Sequence, residues 1–186
     1  MRSRQRNIFE KYGSLFFITS TVVGFIDLFN HRHLCEIFME NLKYYQTRGD
    51  YKIMAYVLMP NHFHLILKIL PEFNISQCIG NLKRITSRKI TEYLNNTGNI
   101  ETLRRLWIAA QKESAIDTRI WKNRFDCFVI NNEETLRQKI EYIHDNPVRQ
   151  CLVENPNNWS FSSAKNYKKT NTGNIYIETD WNNLVD

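Results

Sequence analysis

Apolar residues in this chain recur with two different periods, and the places where the period changes mark out its elements. Leu15–Val23 is rich in Phe, Ile, Thr and Val and predicts a first strand. Arg32–Thr47 carries Leu34, Ile37, Phe38 and Leu42 at helical spacing, and Gly49-Asp50 breaks that helix. Tyr51–Met59 predicts a second strand, Met59-Pro60-Asn61 a turn, and His62–Leu70 a third strand ended by Pro71. From Ile75 to Leu94 an apolar stripe of Ile75, Ile79, Leu82, Ile85, Ile90 and Leu94 predicts a long helix, followed by a loop at Asn95–Asn99. Glu101–Thr118 predicts a further helix and Arg119–Ile130 a fourth strand. Asn132-Glu133-Glu134 supplies a capping amide and first-turn acids for a last helix, expected to run to about Asp145 and stop at Asn146-Pro147. The order β-α-β-β-α-(α)-β-α predicts an α+β sandwich, with helices packed on a largely antiparallel sheet.

Composition narrows the class. The 186 residues are 42% hydrophobic and 13% aromatic, enough for a packed core and too apolar for a disordered chain. Twenty-five Lys and Arg against 19 Asp and Glu leave a net charge of +6, which favours polyanionic partners. Cys35, Cys78, Cys127 and Cys151 form no C-x-x-C pair and are expected as buried thiols rather than disulfides. No apolar h-region follows the basic amino end, and Leu15–Phe29 is too short and polar to cross a bilayer. A soluble, cytoplasmic protein is expected, without a membrane partner.

His62-Phe63-His64 is the most informative triplet. Side chains alternate along a strand, so Phe63, Leu65, Leu67 and Ile69 share an apolar face that must meet helices. His62, His64, Ile66 and Lys68 share the other, which is expected to be the face the core does not need. Two parallel imidazoles two residues apart can ligate one divalent ion, and equally can be two solvated strand histidines. On the last helix, Tyr142 and Asn146 are one turn apart and within roughly 40° of each other, at the edge of the stripe formed by Leu136, Ile140 and Ile143. The carboxamide can complete a hard-cation site, while the phenol can attack a phosphate held there. A phenol ordinarily ionises at about pH 10 and needs help to act as a nucleophile. His144 and Lys68 are candidate helpers. Taken singly, a packing tyrosine and a helix-terminating asparagine explain the same two residues.

Together, Tyr56-Val-Leu-Met-Pro-Asn-His-Phe-His-Leu-Ile-Leu67 and Glu141-Tyr-Ile-His-Asp-Asn-Pro-Val148 resemble the single-tyrosine HUH transposases, and within them the REP-associated tyrosine transposases. Phe16-Phe-Ile-Thr-Ser-Thr21, Ile120-Trp-Lys-Asn-Arg-Phe-Asp126, Leu152-Val and Trp159-Ser-Phe-Ser-Ser163 add to the match, which spans roughly residues 10–165. The resemblance divides the chain into a transposase-like domain over 1–165 and a carboxyl-terminal extension over 166–186. It implies a ferredoxin-like fold and cleavage of single-stranded DNA beside a hairpin, through a 5′-phosphotyrosine. Carried over, His62 and His64 are the metal pair, Tyr142 the nucleophile and Asn146 the third ligand, with Mg²⁺ or Mn²⁺ as the cofactor. This sequence departs from the family at Gln150-Cys151, where small residues are usual, and in the length of Thr97–Thr118. Tyr93 is a second, less favoured tyrosine.

Single-stranded DNA, as the expected partner, calls for cations among aromatics. The candidates are Arg2, Arg4 and Arg6 at the amino end, Lys68 on the third strand, Lys83, Arg84, Arg88 and Lys89 on the second helix, and Lys122 and Arg124 near the fourth strand. The protein is expected to act as a monomer or a homodimer. Two other classes fit parts of the same pattern. One is a non-catalytic hairpin-binding relative, and the other a zinc hydrolase built on His62, His64 and His144.

Overall fold

The computed structural model describes residues 15–113, 120–168 and 175–179. Four strands, β1 (Leu15–Thr21), β2 (Tyr51–Leu58), β3 (His62–Ile69) and β4 (Asp126–Val129), form one sheet in the order β2-β3-β1-β4. Every neighbouring pair is antiparallel. This is the strand order of the ferredoxin-like α+β fold, with β1 and β3 at its centre.

The two faces of the sheet carry separate cores. On one, Phe16, Ile18, Phe63, Leu65 and Leu67 pack against α1 (Arg32–Arg48) through Leu34, Phe38 and Leu42, and against α2 (Ile75–Asn96) through Ile75, Ile79, Leu82 and Ile90. Gly49 ends α1 in the left-handed region at φ 91°, where its missing Cβ removes the steric cost. Asn74 caps α2 by accepting from the Gln77 N–H. Ile175 and Ile177 join this core beyond β2, and the Glu178 N–H donates to the Ile53 carbonyl.

On the other face, α4 (Glu133–Arg149) lies across β2 and β3, burying Leu136, Ile140 and Ile143 on Met54, Val57, Met59 and Ile66. The face of β3 that bears the histidines, expected from alternation alone to be one the core does not need, is instead covered by a second core. Ile66 is fully buried and His64 only 4% exposed. A helix that begins at Glu133, far beyond the end of β3 at Ile69, supplies the cover, which no local pattern reports.

Two further elements differ from the sequence expectation, and a third is described only in part. The third helix, α3, spans Ile100–Glu113, and residues 114–119 lie outside the described part. The fourth strand is four residues long. Before it, Trp121 makes only an isolated bridge with Val22 and buries its indole against Phe29, Phe38 and Phe63, so Asn123 and Arg124 leave the ladder. Finally, α4 does not stop at Asp145. It runs through Pro147 to Arg149, since a proline near the end of the helix forfeits only the one hydrogen bond of its missing N–H.

The helix ends in a Schellman closure. The Leu152 N–H donates to the Pro147 carbonyl and the Cys151 N–H to the Val148 carbonyl, both at 2.9 Å. Cys151 takes the left-handed position at φ 54°, where glycine is usual, and is exposed rather than buried; Cys35, Cys78 and Cys127 are buried free thiols. Continuation of α4 keeps Asn146 helical and on one face with Tyr142. Among the described residues, no helix is long and apolar enough to cross a membrane.

Candidate active site

β3 and α4 bring the four predicted site residues together. The His62 and His64 rings lie 4.9 Å apart between centroids, and the Tyr142 ring meets His64 edge-on at 5.2 Å. Asn146 is buried one turn beyond Tyr142, with its carboxamide beside His62.

Hydrogen bonds behind the rings decide which nitrogen faces the cleft. Asn61 donates from Nδ2 to Asp27 Oδ1 at 2.7 Å, which turns its Oδ1 towards His62 Nδ1 at 2.8 Å. An amide oxygen can only accept, so His62 Nδ1 carries the proton and Nε2 keeps its lone pair. His64 Nδ1 lies 2.7 Å from the Thr19 hydroxyl, across the β1–β3 pairing of Thr19 with His64. With that partner taken, His64 Nε2 is the atom left for the cleft.

Both imidazoles are held neutral. Burial lowers His62, an effect that the nearby Asn146 carboxamide partly offsets. Burial, then the neighbouring His62 and the Lys139 ammonium, push His64 down to about 3. Neutral imidazoles are the form that binds a metal.

Two buried atoms here have no hydrogen-bond partner, His64 Nε2 and Asn146 Oδ1. Each orphan of this kind costs about 1–3 kcal/mol. Asn146 Oδ1 is an acceptor, and His64 Nε2 is one when the Thr19 hydroxyl accepts from Nδ1–H; with His62 they then form a mixed nitrogen and oxygen donor set that fits a divalent cation such as Mn²⁺ or Mg²⁺. Among the described residues, no group of three His, Cys, Asp or Glu side chains could hold a metal, so a site here depends on the asparagine.

His144 is turned elsewhere. Its Nε2 bonds the Ser163 hydroxyl at 2.9 Å, its ring packs on Tyr167, and burial lowers it to about 4. A centre built on His62, His64 and His144 thus lacks its third member. Tyr93 packs on His31 and His33 near the start of α1, away from the cleft.

Of the predicted cations, Lys68 lies four residues beyond His64, about 13 Å along β3 at roughly 3.3 Å per residue. Lys83 donates to the Lys122 carbonyl at 2.7 Å, and Lys122 stacks its ammonium 3.7 Å above Phe25 beside Glu113. The Lys122 N–H donates to the Thr21 carbonyl, which places this pair at the His62 end of the sheet. Arg84, Arg88 and Arg124 are exposed, the first two on α2 behind the opposite face. Arg2, Arg4 and Arg6 lie outside the described residues.

The nearest cations went unpredicted. Lys139 Nζ is 5.9 Å from the Tyr142 ring centroid and the Arg149 guanidinium 5.2 Å. Their spacing of minus three and plus seven from Tyr142 puts both on its side of α4, a signal the helical period carries. Thr19, Asn61 and Asp27 were also missed, since strand pairing and a loop bring them to the histidines.

The site is thus an antiparallel sheet bearing two imidazoles, closed by a helix that presents a phenol and an amide. The family described as "Transposase IS200 like" matches residues 27–146, and the chain belongs to that family. A Haemophilus influenzae protein assigned to the REP-associated tyrosine transposases is 26% identical over 147 residues, 77% of this chain and 74% of that protein. The fold matches a REP-associated tyrosine transposase solved bound to a REP hairpin, with a TM-score of 0.59 and 17% identity over 94% of this chain and 92% of that one. A Deinococcus radiodurans protein assigned as a transposase aligns with a TM-score of 0.48 and 16% identity, over 72% of this chain and 91% of its own.

Proposed function

We propose that this protein is a single-strand DNA nicking and strand-transfer enzyme that cleaves beside a hairpin through Tyr142. The observation that carries this reading is the pair of buried, unpartnered polar atoms, His64 Nε2 and Asn146 Oδ1, set beside His62 and the Tyr142 ring. His62, His64 and Asn146 would hold Mg²⁺ or Mn²⁺, which when bound polarises a phosphate oxygen as a Lewis acid. Asn61 keeps His62 in the ligating tautomer, and the Thr19 hydroxyl does the same for His64 by accepting from its Nδ1–H.

Lys139 and Arg149 offset phosphate charge beside the phenol. The Tyr142 oxygen attacks phosphorus, losing its proton to solvent, and the 3′-oxygen leaves and is protonated. The 5′-phosphotyrosine retains the energy of the phosphodiester, so a second 3′-hydroxyl can reverse the step on another strand without ATP. A single strand suits this cleft because its backbone can bend between a sheet and a helix edge. The hairpin held by the solved relative supports a hairpin-forming partner here.

Labelled single-stranded hairpin DNA from the protein's own genomic neighbourhood, incubated with Mn²⁺, should give a denaturant-resistant adduct that Tyr142→Phe abolishes. An adduct surviving in Tyr142→Phe refutes the nucleophile. Hairpin binding with no adduct from the wild type favours a non-catalytic relative.

A further inference from the structure

The α4 helix covers β2 and β3 and reaches Phe17 of β1, but leaves Phe128 of β4 exposed on the same face. There Phe17 pairs with Phe128 across the ladder, and Phe128 is 46% exposed although it lies within a strand. Its neighbours Cys127 and Val129 are buried in the other core, so its outward position follows from strand alternation.

Phe17 continues the row inwards. Its ring stacks on His64 at 5.4 Å with an interplanar angle of 18°, and meets the edge of Tyr142 at 5.9 Å. One ammonium overlooks the whole row: Lys139 Nζ is 4.9 Å from the Phe17 centroid and 5.4 Å from that of Phe128. Asp126 is exposed beyond Phe128 on the same face, which steers phosphates towards the Lys139 side.

We infer that Phe128 and Phe17, with Lys139 above them, form a stacking shelf for an unpaired nucleobase that flanks the scissile phosphate. An exposed aromatic in a strand, contiguous with a candidate metal-binding imidazole and beside a cation, offers a flat apolar surface for the base and a counter-charge for its phosphate. Single-strand-binding proteins combine the same two elements. A base on Phe128 is two rings from His64, within reach of the nucleotide next to the one attacked. The inference deepens the nicking reading by naming how the unpaired strand is seated, and it is testable without any cleavage.

The test uses the full chain in EDTA, with fluorescein-labelled oligothymidylate and an abasic strand of equal length as probes. The wild type should prefer the base-bearing strand. Phe128→Leu keeps an apolar side chain but removes the π-face, and should weaken oligothymidylate binding about 5- to 100-fold while leaving abasic binding unchanged. Phe128→Trp should restore or exceed wild-type affinity. Lys139→Gln should weaken both strands and lower the salt slope by about one.

Equal affinity of wild type and Phe128→Leu for oligothymidylate overturns the shelf, as does equal loss on both strands. So does sedimentation showing a wild-type dimer that Phe128→Leu dissociates with base preference intact, because the face is then an interface between copies. Failure of the adduct assay leaves this readout standing, and an adduct formed normally by a Phe128→Leu protein with unchanged affinity removes the shelf alone.

Discussion

Thr19→Val isolates the contribution of ring orientation to the site. Valine keeps the β-branched shape of threonine on β1 and removes only the hydroxyl that meets His64 Nδ1 at 2.7 Å. His64 is 4% exposed, so its Nδ1–H loses a buried partner, at a cost of about 1–3 kcal/mol. At ~2–4 °C per kcal/mol for a chain of this size, the melting temperature should fall by several degrees.

The functional effect is separate. Without the hydroxyl, the imidazole can place its proton on Nε2, the atom that must ligate, and loss of such an outer partner typically lowers metal affinity about 10- to 100-fold. Adduct yield titrated against Mn²⁺ should therefore need about 10- to 100-fold more metal for half-maximal rate, with the rate at saturation near that of the wild type. A fall in melting temperature with an unchanged Mn²⁺ midpoint would show that Thr19 only packs. A rate loss that excess Mn²⁺ does not rescue would refute the tautomer argument.

Other outcomes follow from the same geometry. Cys151→Gly relieves a left-handed residue in the closure of α4 and should raise stability by about 1 kcal/mol in urea unfolding; destabilisation would mean the thiol has an unrecognised role. Gly24→Ala puts a Cβ 2.7 Å from Ala109 Cβ at φ +60°, so it should pry α3 from the β1–α1 connection and cost at least about 1 kcal/mol, visible as a lower melting temperature and faster hydrogen exchange in α3. Acid should unfold the metal-stripped protein early. His64 and His144 are held down to about 3 and about 4, so their contribution is whole above the unfolded value near 6.5. It falls as pH drops below that value, by about 1.4 kcal/mol per unit for each ring, until the folded rings also protonate. His144→Gln should flatten that slope by about half in chemical denaturation between about pH 6 and pH 4.5, and an unchanged slope would contradict its burial.

Local patterning determined a large part of this protein by itself. Alternation in β3 separated the apolar Phe63, Leu65 and Leu67 from His62 and His64, and the helical period put Tyr142 and Asn146 one turn apart, because both properties belong to a single element. Sequence order likewise announced an antiparallel α+β sandwich. Tertiary structure alone decided what lies over the histidines. The α4 cover, the Thr19 hydroxyl, the Asn61–Asp27 relay and the Phe17–Phe128 row come from residues tens of positions apart, brought together by pairing register and by packing on the sheet. The path of α4 through Pro147 also escaped local rules. Proline's preference against a preceding helical residue is a modest local energy, and the closure at Cys151 and Leu152 with burial of Asn146 and Pro147 outweighs it. A periodic pattern states which way a side chain points along its own element, whereas the groups it meets depend on contacts between distant parts of the chain.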